Sequence, residues 1–80
     1  MRPRKKSGDL KAIGSRIREV RGDMLQEELA TYLGISQGQL SKIERGKLGP
    51  TAEILIRLAE KFGTSTDWLL TGKGNRSIEA

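Results

Sequence analysis

Two absences define the chemistry open to this chain of 80 residues: it has no histidine and no cysteine. Those gaps remove the commonest general base, the commonest metal ligand and every thiolate site. No Ser–Lys pair stands in a workable catalytic frame. The chain is therefore not expected to be an enzyme or to hold a metal or an organic cofactor. What remains is hydrogen bonding and positive charge. Gln37, Gly38, Gln39, Ser41, Lys42, Arg45 and Lys47 crowd into one short stretch. A glutamine amide offers a donor and an acceptor side by side, whereas lysine and arginine offer donors only. Such a set suits a polar, anionic partner. Its bland alternative is an ordinary solvated surface.

Charge points the same way. Lys and Arg number 15 against 10 Asp and Glu, a net +5, and the isoelectric point is about 10.0. Residues 1–21 carry +6, residues 22–35 carry −3 and residues 36–50 carry +2. Residues 1–8 read as a basic arm, either a solvated leader or a strand that follows a polyanion backbone. A hydrophobic share of 35% supports one core and argues against a disordered chain. No apolar run is long enough to span a membrane or to follow the basic start as a secretory signal. A cytoplasmic location is expected, with no membrane partner.

The elements that must position these side chains are helices. Leu10, Ile13, Ile17 and Val20 recur at helical spacing up to Gly22. Leu29, Ala30 and Leu33 mark a second helix, stopped by Gly34. Ser36 is a good N-cap for a third helix that carries Leu40 and Ile43 inward and ends at Gly46. Pro50-Thr51 opens a fourth, with Leu55, Leu58, Ala59 and Phe62 on one face. Ser65 or Thr66 caps a fifth, through Trp68, Leu69 and Leu70 to Gly72. No segment alternates with period two. The fold class is all-α, five short helices over residues 9–72, followed by a tail at 73–80.

Taking Leu40 as the inward direction and stepping 100° per residue, Ile43 and Ser36 face the core. Gly38, Ser41, Lys42 and Arg45 face outward, and Glu44 points partly inward. A short helix, a Gly-containing turn (Leu33-Gly34-Ile35) and this third helix have the layout of a helix-turn-helix over about residues 26–45, whose second helix enters the major groove of DNA.

The residues then carry a resemblance. Gln26-Glu27-Glu28-Leu29-Ala30, Leu33-Gly34-Ile35-Ser36 and Leu40-Ser41-Lys42-Ile43-Glu44-Arg45-Gly46 resemble the XRE family of Cro/CI-type helix-turn-helix regulators. Pro50-Thr51 and Asp67-Trp68-Leu69-Leu70-Thr71-Gly72 look like that family's fourth and fifth helices. The resemblance covers about three quarters of the chain, from Ile13 to Gly72, and implies a lambda-repressor-like domain. It also implies a sequence-specific, double-stranded DNA-binding transcriptional regulator of bacterial or phage origin, in the repressor sense. Gln37, Gly38, Gln39 and Lys42 match the base-facing positions. Gln26, Ser36, Ser41, Arg45 and Lys47 stand where phosphate contacts are expected. Arg21 and Glu44 match an internal ion pair, and Trp68 matches a core position.

Two features depart from the family pattern. The link from Arg21 to Leu25 is two residues shorter than the common form. Leu25 also stands where a Ser or Thr cap is usual, and Asp23 with Gln26 has the spacing of an alternative capping box, which would shift the first turn of the second helix. A homodimer on a palindromic operator is expected, with contacts around the last helix and the turn before the fourth. A further protein partner stays open. The alternative function is a protein–protein module on the same fold, such as an antitoxin or adaptor.

Overall fold

The computed structural model describes residues 6–77, with side chains from residue 9 onward. Five helices follow in order: α1 Lys6–Arg21, α2 Gln26–Leu33, α3 Gln37–Glu44, α4 Ala52–Phe62 and α5 Thr66–Thr71. Among the described residues there is no strand, only an isolated bridge between Thr64 and Ser77. Residues 6–8 of the expected arm are helical, and residues 1–5 lie outside the described residues.

Local chemistry sets the helix ends. Ser36, Thr51 and Ser65 each accept a backbone N–H three residues on, from Gln39, Ile54 and Trp68, which satisfies amides that have no partner inside the helix. Ser36 itself is exposed, not inward. It sits in extended backbone with φ −79° and ψ 158°, so helical angular stepping does not apply to it. The α2–α3 turn needs Gly34, whose φ of 74° lies in the left-handed region. Ile35 N–H then bonds back to the Ala30 carbonyl at 3.0 Å.

One core joins all five helices. Ile13, Ile17 and Val20 of α1 meet Leu29, Ala30 and Leu33 of α2, Leu40 and Ile43 of α3, Ile54 and Leu58 of α4, and Leu69 of α5. On α4, Ile54 is buried in place of Leu55, and Leu55 and Phe62 pack only part-buried at the core edge. Trp68 is likewise half-buried against the core, with the Arg16 and Arg76 guanidiniums 5.9 and 5.4 Å from its ring centroid. Residues 73–77 return over the domain: Ser65 N–H donates to the Arg76 carbonyl at 2.7 Å, and Arg76 pairs with Glu19 at 3.0 Å.

Candidate nucleic-acid interface

α3 carries most of the nominated side chains, and its start is held by a reciprocal cap. Gln39 N–H donates to Ser36 Oγ at 3.0 Å, and Ser36 N–H donates back to Gln39 Oε1 at 3.1 Å. Gln39 therefore faces solvent with its oxygen engaged and its NH2 group open. Gln37, Gly38, Lys42 and Arg45 are exposed, Ser41 is half-buried, and Lys47 is exposed just past the helix. A Cβ added to Gly38 would find nothing nearer than Ser36 Oγ at 3.8 Å. Packing does not require that glycine.

Behind this face lies a buried carboxylate. The Glu44 side chain is 4% exposed and receives Arg21 in a two-point pair, Nε to Oε2 at 2.7 Å and Nη2 to Oε1 at 3.0 Å. Arg21 Nη1 also donates to the Met24 carbonyl at 2.8 Å. A carboxylate out of water needs such donors to stay ionised without a large penalty. Gln26 adds a third: its Nε2 donates to Glu44 Oε1 at 2.9 Å, while its Oε1 accepts from Gln37 Nε2 at 3.3 Å. One hydrogen-bonded chain thus runs from α1 through α3 and α2 to the exposed amide of Gln37.

Asp23 does not cap α2. The helical bonds of Glu28 and Leu29 run to the Leu25 carbonyl, at 3.0 and 3.1 Å, and Met24 N–H closes a turn onto the Arg21 carbonyl at 3.1 Å. That turn, clamped by the Arg21 side chain, holds Asp23 upstream of the helix. Leu25 is the N-cap in extended backbone and is 62% exposed. A leucine side chain has no acceptor to offer. Glu28 supplies a long contact to Leu25 N–H at 3.4 Å, and Gln26 keeps the first helical position.

The structure thus brings Gln26, Gln37, Arg21 and Glu44 into one connected set, with Ser41 and Arg45 beside it, where Arg45 Nε donates to Ser41 Oγ and to its carbonyl at 3.3 Å each. Lys42 and Lys47 stand apart, with no ion pair among the described residues. Gly14 was not singled out in the sequence. A Cβ there would lie 2.3 Å from the Ile43 carbonyl oxygen and 2.5 Å from that of Glu44, so this glycine lets α1 touch the backbone of α3. A glycine flanked by inward apolar residues inside a helix was the available signal.

The chain is similar to helix-turn-helix regulators. The family model described as Helix-turn-helix (HTH_3) matches residues 15–69. An uncharacterized HTH-type transcriptional regulator, y4dJ of Sinorhizobium fredii, is 41% identical over 64 residues, which are 76% of this chain and 82% of that protein. The HTH-type transcriptional regulator ImmR of Bacillus subtilis is 34% identical over 61 residues, 74% of this chain but 48% of ImmR. Among solved structures, the P22 c2 repressor in complex with a synthetic operator superposes with a TM-score of 0.70 at 33% identity, covering 76% of this chain and 96% of that one. The restriction-modification controller protein C.AhdI of Aeromonas hydrophila gives a TM-score of 0.71 at 26% identity, over 82% of this chain and 99% of that one. With the family model spanning more than half of its length, the chain belongs to the Cro/CI-type helix-turn-helix family of transcriptional regulators.

Proposed function

We propose that this protein is a sequence-specific double-stranded DNA-binding transcriptional regulator, in the repressor sense, that reads the major groove with α3. The observation that carries the reading is the outer face of α3: exposed Gln37, Gly38, Lys42 and Arg45 with no apolar side chain among them, held from behind by the Arg21–Glu44 pair. A polar donor-rich face suits base edges and phosphates. It does not favour the protein–protein module, whose docking face would be apolar. The reading assigns no catalytic role, no metal and no cofactor, and it places the protein with its DNA in the cytoplasm of a bacterial cell.

Gln37, Gln39 and Lys42 are assigned to base edges, an amide suiting adenine N6 and N7 and a lysine suiting guanine O6 and N7. Gln26, Ser36, Ser41, Arg45 and Lys47 are assigned to the phosphates on either side, which position the helix without reading sequence. A homodimer on a palindromic operator doubles the buried surface and sets the two copies of α3 about 34–36 Å apart. Leu48 in the α3–α4 turn and Leu70 on α5 are 40% and 41% exposed, and these apolar side chains support a two-fold contact there.

The test selects bound duplexes from a random pool and then compares variants on selected and scrambled sites. Gln37→Ala is expected to lose about 1–3 kcal/mol on the selected site and to relax one base pair. Lys47→Ala is expected to weaken both duplexes alike. Equal losses for Gln37→Ala, Lys42→Ala and Lys47→Ala on both duplexes reject base reading by α3. A selected site without two-fold symmetry rejects the dimer.

A further inference from the structure

Between α1, α2 and α3 lies an open cleft of about 290 Å3, lined by Arg18, Arg21, Gln26, Ser41, Glu44 and Arg45. Its charges are unevenly engaged. Arg21 is taken up by Glu44, and Glu44 in turn is buried and already accepts three hydrogen bonds. Arg45 touches only Ser41, through Nε. The Arg18 side chain is exposed and makes no ion pair or hydrogen bond among the described residues. Three guanidiniums against one carboxylate leave the cleft at about +2, with two cations lacking an acidic partner.

Most of the polar groups that remain open are donors. The terminal guanidinium nitrogens of Arg18 and Arg45 can only donate. Ser41 Oγ accepts from Arg45, which leaves its own O–H to give, and Gln26 Nε2 keeps one hydrogen beyond the one donated to Glu44. A donor-rich, net positive cleft of this size suits a tetrahedral anion with several acceptor oxygens. Ser41 and Arg45 also belong to the outer face of α3, so the cleft opens beside the surface assigned to the groove.

We propose that this cleft seats one DNA phosphodiester, and that Arg18, on α1, is a positioning residue that grips it together with Arg45. The inference rests on the DNA-binding reading above and adds to it a phosphate anchor from the first helix, outside the helix-turn-helix itself. Because Arg18 is exposed, its replacement leaves the core packing in place, which thermal unfolding of each variant checks.

The experiment measures binding of the full chain, Arg18→Ala and Arg18→Lys to the selected and scrambled duplexes between 50 and 200 mM salt. On a palindromic site each subunit loses one phosphate contact, so the logarithmic salt slope flattens by about 1.8 for the dimer and the ratio of wild-type to Arg18→Ala affinity falls about 12-fold across that range. The loss is expected to be equal on both duplexes, with most of the slope restored in Arg18→Lys. Neutral methylphosphonates placed as symmetry-related pairs along the selected duplex then locate the contact: at one pair of positions, wild type and Arg18→Ala bind alike. An unchanged slope in Arg18→Ala overturns the proposal, as does a loss confined to the selected duplex or a difference that persists at every methylphosphonate position. Titration with inorganic phosphate separates the source of the anion. Saturation at Arg18 by free phosphate, with no methylphosphonate effect, assigns the cleft to a small anion and overturns the duplex contact. A wild-type chain that binds no duplex rejects the underlying function, an outcome distinct from all of these.

Discussion

Helix α1 makes two junctions, each built from an arginine on α1 and a glycine at the point of contact, and they are not equivalent. Toward α3, Arg21 grips the buried Glu44 carboxylate, and Gly14 lies against the carbonyls of Ile43 and Glu44. Toward α5, Arg16 donates to the carbonyls of Leu69 and Leu70 at 2.9 and 3.2 Å, and a Cβ on Gly72 would meet the far end of the Arg16 side chain at 2.8 Å. The first junction sets a charge and two backbones against each other. The second sets a flexible side chain against the end of a helix, near solvent. The contact that has no flexible side chain to give way lies on the side that bears the candidate interface.

The largest expected effect breaks the first junction. Arg21→Ala leaves a carboxylate buried without its cation, which costs about 3–5 kcal/mol. A domain of this size holds on the order of 4–12 kcal/mol in total, so denaturant unfolding should find the variant close to the edge of folding. Replacing Arg21 and Glu44 together by methionine should recover most of that loss. A single and a double variant that are equally unstable would show that the charge pair is not what holds the junction.

Next comes Gly14→Ala. The added methyl group meets backbone oxygen, which cannot swing aside, so α3 must shift at a cost of about 1–3 kcal/mol. Affinity for the selected duplex should fall by more than stability alone explains. Full binding with unshifted stability would mean that α1 and α3 are looser than described.

Arg16→Ala tests the second junction and should cost about 1–2 kcal/mol, since it removes two hydrogen bonds to carbonyls that water can partly reach. Duplex binding by the folded fraction should be unchanged. A loss equal to that of Arg21→Ala would erase the distinction between the junctions. Smallest is Arg76→Ala, which breaks an exposed pair with Glu19 and should change stability by less than about 1 kcal/mol in a thermal scan. A larger change would assign residues 73–77 a full share in the fold.

The helices were legible because their ends are written in single residues: Ser36, Thr51 and Ser65 at the starts, Gly34 and Gly72 after the stops. The inward tilt of Glu44 also followed from stepping four residues around the helix from Leu40. Three features escaped for a shared reason, which is that each depends on a neighbour distant in sequence. Asp23 has the right spacing for a cap, but Arg21, held by the distant Glu44, closes the turn around it. Residues 73–77 carry no periodicity, yet they pair with the chain before α5 and lay Arg76 over Trp68. The contact between Gln26 and Gln37 needs the crossing of α2 and α3, which no one-dimensional pattern encodes. The assignments to bases and phosphates rest on exposure and on resemblance.

The chain of contacts behind Gln37 also has a direction. A carboxylate can only accept, so Glu44 obliges Gln26 to turn its nitrogen inward and its oxygen outward. That oxygen in turn obliges Gln37 to turn its nitrogen toward Gln26. Rotating the Gln37 amide by half a turn would set two oxygens against each other, so an exposed group that is free to flip on most surfaces has a preferred polarity here. The sign of a charge in the interior is thereby transmitted, bond by bond, to the orientation of an amide at the surface.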